Sequence, residues 1–514
     1  MTEYEAQEAT LKKLVAELAK EEAERSNGAN PANPHLDEGE EPDISGTDVG
    51  LAERFVTDYG AHFRFILGRS NRSTSEGTWL HYDGNRWVRQ PNTLYVERKL
   101  KQMAREILRE ATRVTTSTER DQLWKAGNRL LSNAGIRAVR DRVAIEEGIT
   151  GDEDDFDRHP HLLSVANGVV DLRSGKLLAP DPAMMLSRGS RIAYHPEAEA
   201  PTWGKTLLEI FAGGAKVAAA YEADLGYTLT GETREHVALV DFGPTSRNGK
   251  TLIHETIRYI FGPELCVVSA PGTFLLGRYS NEANKPRDDI ARWRGARMIQ
   301  TSELPEGAQL DEDLFKRLTG EDTVPVREGY GRESEFKPNA KLWVRTNNFP
   351  ALDPDSEAIW SRVRLHEFAV SFLGREDRTL SERLRAEAEG ILVRLVRCAG
   401  EYYERAGEGA GAGLLSVGNA ERVQEIRYST DLLGDIIERR FERDPNSYVT
   451  AKRFREIERD EYEQAGEKYV PASLHRMEKK GFRQGLPHVN SKRTKAFWGL
   501  RERGEGEDFG DVSV

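Results

Sequence analysis

The stretch Gly243-Pro-Thr-Ser-Arg-Asn-Gly-Lys-Thr251 decides how the chain is read. An apolar run, Val237-Ala-Leu-Val240, leads into it, and a helix-like run from Leu252 to Ile260 leads out. A buried strand, a glycine-bounded turn and a helix, in that order, make the layout of a phosphate-binding loop. Such a loop works because backbone N–H groups of the turn and the start of the helix converge on one anion. In this layout Gly243, Arg247, Asn248 and Gly249 line the phosphates, Lys250 reaches the terminal ones, and the Thr251 hydroxyl ligates Mg²⁺. The two glycines stand one residue further apart than in the usual loop, and an ordinary strand-to-helix turn with a surface lysine is the alternative.

Four downstream segments bear on that choice. Arg297-Met-Ile-Gln-Thr-Ser-Glu303 reads as a short strand ending in a carboxylate, the group that orients water and metal. Phe315 to Asp322 reads as an amphipathic helix stopped by Gly320. Leu342-Trp-Val-Arg-Thr-Asn347 is a further strand, and its terminal amide is placed to position an attacking water. Trp360-Ser-Arg362-Val-Arg364 sets guanidinium groups after a loop, suited to the charge of a transferred phosphoryl group.

Taken in order, NGKT (248–251), RMIQTSE (297–303), FKRLTGED (315–322), RTNNFP (345–350) and WSRVR (360–364) resemble the superfamily 3 helicases. The likeness is to the helicase region of phage, plasmid and poxvirus-type primase-helicases, over roughly residues 50–500. It implies an α/β fold with an AAA+-like P-loop ATPase core, ATP and Mg²⁺ as cofactors, and a homo-hexameric ring moving along single-stranded or forked DNA. ATP would sit between subunits. Lys250 would stabilise phosphate, Thr251 and Glu303 would hold Mg²⁺, Glu303 would activate water and Asn347 would sense the γ-phosphate. Arg362, or failing it Arg364, would be the arginine finger of the neighbouring subunit. The segment Thr323 to Lys337 matches a hairpin that grips DNA in the central channel, with Tyr330 and Arg332 as its stacking and phosphate-binding residues. An exposed turn with incidental charge is the other reading there.

Composition bounds the alternatives. A chain of 514 residues holds two to four domains, and 38% hydrophobic with 31% charged residues fits a globular protein with a polar tail. Two cysteines, Cys266 and Cys398, make neither a disulfide framework nor a zinc site, which suits a reducing cytoplasm, a host's if the chain is phage-encoded. No run is apolar enough to span a membrane, and no signal-peptide pattern opens the chain. The net charge of −12 is uneven: residues 1–46 hold 12 acids against 4 bases, or −8, which leaves −4 for the rest. An acidic sum does not exclude nucleic acid when positive charge is concentrated on one surface.

Five regions follow along the chain. Residues 1–48 read as an acidic, largely disordered tail that includes one marginal helix. Residues 49–200 read as a mostly helical accessory or collar domain. It contains a hairpin turning at Asp83-Gly84-Asn85 with Trp79 and Trp87 in the core, and Arg105, Arg109, Arg113 and Arg120 on a solvated face. Its segment Leu162–Leu177 is expected as two short strands around the Ser174-Gly175 turn. Residues 201–405 form the ATPase domain, 425–503 a winged-helix-like domain of three helices and a wing, and 504–514 an acidic tail. Residues 471–503 carry nine Lys/Arg against two Asp/Glu, so Arg476, Lys479 and Lys480 are candidates for DNA backbone contact, a solvated basic face being the alternative. The stretch before residue 150 offers no acidic metal motif for a primase, so a separate primase or polymerase is the expected partner. The function expected is an ATP-dependent helicase of phage or mobile-element replication. Its rivals are a P-loop ATPase that loads or remodels replication proteins without unwinding, and a DNA-binding initiator lacking ATPase activity.

Overall fold

Helix α1 (Asp48–Tyr59) begins where the Thr47 hydroxyl accepts the Gly50 N–H, at 3.1 Å. The computed structural model describes residues 46–67, 77–243, 245–275, 287–301, 303, 310–320, 322–327, 333–347, 349, 352, 356–407, 414, 420–429, 431–464, 471–472, 474–489 and 492–503. After α1 come β1 (Phe63–Leu67), β2 (Gly77–Tyr82), β3 (Trp87–Arg89), the helices α2 (Leu94–Ala111), α3 (Ser117–Arg129) and α4 (Asn133–Val143), and β4 (Thr150–Gly151). The strands form one sheet in the order β3-β2-β1-β4. Leu51, Phe55, Phe63, Trp79, Leu100, Met103 and Ile107 fill the core between sheet and helices. The hairpin turns at Asp83–Asn85, with Gly84 at φ +102°, a conformation that suits glycine. Trp79 and Trp87 are both buried, and the four arginines of the helical stretch are exposed.

The next segment differs from expectation. It forms three strands, β5 (Leu162–Val165), β6 (Gly168–Asp171) and β7 (Lys176–Leu178). The added turn falls at Asn167-Gly168, where Gly168 takes φ +154° and the chain reverses ahead of the Ser174-Gly175 turn. Leu163, Val165, Val170 and Leu172 do not pack on the first sheet. They share a core with Trp203 and Leu207 of α5 (Pro201–Ile210), with Tyr221 and Leu225 of α6 (Ala215–Leu229), and with the helix that follows Lys250. By packing, then, residues from about 162 onward go with the part built on the parallel sheet.

That part is built on β8 (Ala238–Phe242), buried along its whole length as a central parallel strand must be. The loop after it enters α7 (Lys250–Leu265), which kinks at Gly262, φ +77°, ahead of Pro263. Then come β9 (Cys266–Ser269), β10 (Met298–Thr301), α8 (Glu312–Thr319), the pair β11 (Val324–Arg327) and β12 (Glu333–Phe336), β13 (Lys341–Thr346) and β14 (Val363–Glu367). The main sheet is wholly parallel, in the order β14-β8-β13-β10-β9. Numbered along the chain, that order is 5-1-4-3-2. A fully parallel sheet covered by helices is the mixed α/β class expected. Helices α9 (Leu380–Ala386) and α10 (Ala388–Ala406) close one face.

The antiparallel pair β11–β12 runs in register from Val324↔Phe336 to Arg327↔Glu333, so a hairpin stands where one was expected. Its tip, with Tyr330 and Arg332, lies outside the described residues, as do residues 1–45 and 504–514. The last unit contains α11 (Leu432–Arg440), β15 (Phe441–Thr450), α12 (Ala451–Gln464), α13 (Leu474–Lys479), β16 (Arg483–Gly485), the hairpin β17 (His488–Val489) and β18 (Lys492–Arg493), and β19 (Ala496–Glu502). Strand β15, which begins at Phe441, is an addition to the expected three helices and a wing.

Candidate functional site

The C-terminal ends of β8, β10 and β13 converge on one edge of the parallel sheet, where crevices in such sheets lie. The chain leaves β8 through a turn that needs unusual backbone: Arg247 has φ +55° and Gly249 φ +92°. Lys250 then opens α7 and folds back into the turn. Its ammonium donates to Gly243 O at 3.0 Å, to Thr346 O at 3.0 Å and to Asn347 Oδ1 at 2.6 Å. The Asn347 amide donates in turn to Glu303 Oε1. Residues from three strand ends thus meet: Lys250 after β8, Glu303 after β10 and Asn347 after β13.

Lys250 is only 6% exposed. Burial pushes its pKa down, opposed by the charges of Asp241 and Glu303. Gly243 supplies the carbonyl that holds Lys250, and there is no room for a side chain on it: a Cβ would lie 2.2 Å from Asn248 Nδ2 and 3.0 Å from the Lys250 ammonium. Asn248 is buried, and its amide closes the turn by donating to Thr245 O at 2.6 Å. Arg247 points outward and pairs with Glu376 at 3.2 Å. Thr251 is exposed. A cavity of about 510 Å³ opens beside Gly249, Lys250 and Thr251, with Lys205, Arg247, Arg375 and Arg383 among its walls. Glu209, Glu376 and Asp377 share that wall and pair with Lys205, Arg247 and Arg383, so its fitness for an anion rests on the helix start, Lys250 and Arg375.

The fit to Mg²⁺ is of a particular kind. Among the described residues no three His, Cys, Asp or Glu cluster as a metal cage. Magnesium bound with a nucleotide needs none, since one or two protein oxygens complete a shell of water and phosphate. Thr251 and Glu303 are oxygen donors of that type. A larger cavity, about 700 Å³, lies elsewhere, between the N-terminal unit and the main sheet. Arg86–Glu264 and Arg294–Asp154 ion pairs stitch that seam.

The remaining expected residues lie apart from the cluster. Arg362 precedes β14, at the end of the sheet opposite Lys250, and donates to Lys316 O and Thr319 Oγ1, each at 3.0 Å. Arg364 is turned inward onto the buried Asp224. Arg476 and Lys480 face Asp431, the N-cap of α11, at 3.5 and 2.5 Å; they are engaged within the unit and do not project from it. The Lys479 side chain lies outside what is described.

Sequence reading missed a buried polar chain beneath the site. Asp241 on β8 accepts from His254 Nε2 at 2.6 Å, His366 Nδ1 at 3.0 Å and the Tyr221 hydroxyl at 3.1 Å. His366 Nε2 donates to Asp224 at 2.8 Å. With both ring nitrogens on carboxylates, His366 is an imidazolium: burial opposes the charge, but the two carboxylates win and raise its pKa. His254 is held neutral by burial, and its Nδ1 meets no partner among the described residues, as an unprotonated nitrogen tolerates. Burial pushes Asp241 up, yet the two imidazoles outweigh it and hold the carboxyl at about 2. Aspartate at the fourth position of an apolar strand was the available signal.

Residues 52–212 match the family described as "D5 N terminal like". "Putative helicase L207/L206" of Acanthamoeba polyphaga mimivirus is 21% identical over 325 residues, 60% of this chain and 33% of the relative. "Putative helicase V13" of Sputnik virophage is 26% identical over 161 residues, 30% of this chain and 20% of the relative. "Putative primase C962R" of African swine fever virus is 24% identical over 227 residues, 43% and 23% of the two chains. The matched stretch spans a third or less of each relative's length. The apo structure of the NrS-1 C-terminal region aligns over 88% of this chain and all of its own, with a TM-score of 0.46 and 10% identity. The resemblance to viral primase-helicases therefore stands, with the family match lying ahead of the five motifs. Among the described residues no helix is long and apolar enough to cross a membrane.

Proposed function

We propose that this chain, a relative of the viral proteins named helicase and primase, is an ATP-dependent DNA helicase of superfamily 3 acting in viral or mobile-element replication. One observation carries the reading: Lys250, Glu303 and Asn347, remote in sequence, meet at one edge of a parallel sheet beside an anion-suited cavity. A P-loop, AAA+-like core accounts for that convergence, and a winged-helix-like unit accounts for residues 425–503.

In this reading the turn N–H groups and Lys250 hold the β- and γ-phosphates of ATP. Thr251 and Glu303 supply the protein oxygens for Mg²⁺, which neutralises phosphate charge when bound. Glu303 takes the proton of the attacking water, and Asn347, already bonded to both Glu303 and Lys250, reports the γ-phosphate to them. Arg362 acts on the site of the next subunit in a homo-hexameric ring. Its place at the far end of its own sheet favours a role between subunits over one in its own site. The β11–β12 hairpin lies along the path of single-stranded DNA, and a separate primase or polymerase is the partner.

The test is ATP hydrolysis and strand displacement on a forked duplex. Hydrolysis stimulated by single-stranded DNA, with displacement, supports the reading. Hydrolysis without displacement favours a loader or remodeller, and no hydrolysis with or without DNA ends the proposal.

A further inference from the structure

The C-terminal unit presents a surface that the ATPase reading does not use. In β19, Phe497 and Leu500 face the core with Phe441, Val449 and Phe454, and Trp498 takes the other face. Trp498 stands in register with Tyr448 of β15 on one side and Arg483 of β16 on the other. The two aromatic rings lie 5.0 Å apart, and Tyr448 is 36% exposed. The indole rests on Gly485, where a Cβ would come within 2.3 Å of its Nε1, so the glycine seats the ring against the sheet. The hairpin beside this row carries Lys492, Arg493 and, just after it, Lys495, all exposed, as is Arg483. None of these four cations pairs with a carboxylate among the described residues. The neighbouring acids Glu442 and Glu502 are already taken by Arg501 and Arg453.

A seated, partly exposed aromatic pair offers π-faces to unstacked bases, and unpaired cations along it suit the phosphates that link them. Duplex DNA hides its base faces, so this row has no use for them there. We propose that the outer face of the β15–β19–β16 sheet and its hairpin form a binding site for single-stranded nucleic acid. Trp498 and Tyr448 stack bases there, and Arg483, Lys492, Arg493 and Lys495 neutralise phosphates. The site goes beyond the helicase reading and does not depend on it, because no residue of the Lys250 cluster takes part. It also moves the nucleic-acid face away from α13, whose Arg476 and Lys480 are engaged by Asp431.

The experiment measures binding of fluorescein-labelled oligo(dT), oligo(rU) and a duplex, each of about 15 units, to the full chain without nucleotide, across a salt series. Trp498→Ala and Tyr448→Ala should each weaken oligo(dT) binding roughly tenfold, and Trp498→Phe should restore most of it. Replacing Lys492 and Arg493 together by alanine should lower the slope of log K against log salt by about 1.4. A 4-thiothymidine oligonucleotide should crosslink the wild type within residues 483–498, a readout immune to misfolded variants. Comparison of oligo(dT) with oligo(rU) tells DNA from RNA as the strand held. Unchanged affinity and slope in all variants, tighter binding of the duplex, or crosslinks only outside that segment would overturn the proposal. Absence of ATPase activity would leave these measurements intact.

Discussion

The Lys250 ammonium lies 2.6 Å from Asn347 Oδ1, so the lysine that opens α7 is tethered to the end of β13. The same amide donates to Glu303, and one side chain therefore joins the cation of the turn to the carboxylate of β10. Any group that draws Lys250 toward solvent must loosen Asn347 and change how Glu303 is held. In the proposed mechanism this linkage lets Asn347 report a γ-phosphate to Glu303.

Replacing Asn347 by alanine should uncouple the two charges without opening the fold, since the side chain is only half-buried. Turnover is expected to fall by about a hundredfold or more, as for loss of one preorganised donor in other active sites, with nucleotide binding retained. Phosphate release and fluorescent-nucleotide titration would check this. Wild-type turnover in Asn347→Ala would remove the residue from the mechanism.

Gly243 offers a steric test of the same cluster. A methyl group there meets Asn248 at 2.2 Å, Phe368 O at 2.8 Å and the Lys250 ammonium at 3.0 Å. Gly243→Ala should push Lys250 off its carbonyl anchor and cost about a hundredfold in kcat/KM, the scale of a misplacement of about 1 Å. Steady-state kinetics beside a melting curve would separate lost geometry from lost fold.

The buried imidazolium sets a pH signature. His366 has its pKa raised above the ordinary 6.5, so the stability it contributes is complete below that value and is lost as pH climbs through the raised one. Asp241 works the other way: held at about 2 against an ordinary 3.8, it contributes about 2 kcal/mol that is present above 3.8 and lost as pH falls toward 2. His366→Gln takes the cation away from the buried Asp241, while Asp224 keeps Arg364, and should cost about 3–5 kcal/mol. Thermal denaturation from acid to alkaline buffer should show the wild-type midpoint falling on the alkaline side and the variant's lower midpoint lacking that fall.

How much of this was legible beforehand depends on distance along the chain. The turn at 243–251 and the strands ending at Glu303 and Asn347 announce themselves through apolar runs with a polar terminus. Strands β9 and β14 were missed because Cys266–Ser269 and Val363–Glu367 are short, and periodicity cannot tell four or five residues from loop. Strand β15 was hidden by Asp444-Pro-Asn446, where the register shifts and the alternation breaks. The Asp224–His366–Asp241–His254 chain joins four elements, and only the fold brings them together. Arg476 and Lys480 looked like a free basic face because their partner, Asp431, lies more than forty residues away.

The proposed seam between subunits can be tested by mixing. Arg362 stands across the sheet from Lys250, bonded to Lys316 O and Thr319 Oγ1, so its own site lies beyond its reach. If it serves a neighbour, Lys250→Ala and Arg362→Ala chains should each be inactive alone. In a mixed ring some interfaces pair an intact Lys250 with an intact Arg362, and part of the activity should return. The loss in Arg362→Ala alone should reach about a thousandfold if the arginine acts as a finger. If instead it only ties β14 to α8, that variant would melt at a lower temperature and no mixture would recover turnover, because each site would then need its own chain intact. Phosphate release as a function of mixing ratio, beside the melting temperature of each variant, distinguishes the two roles.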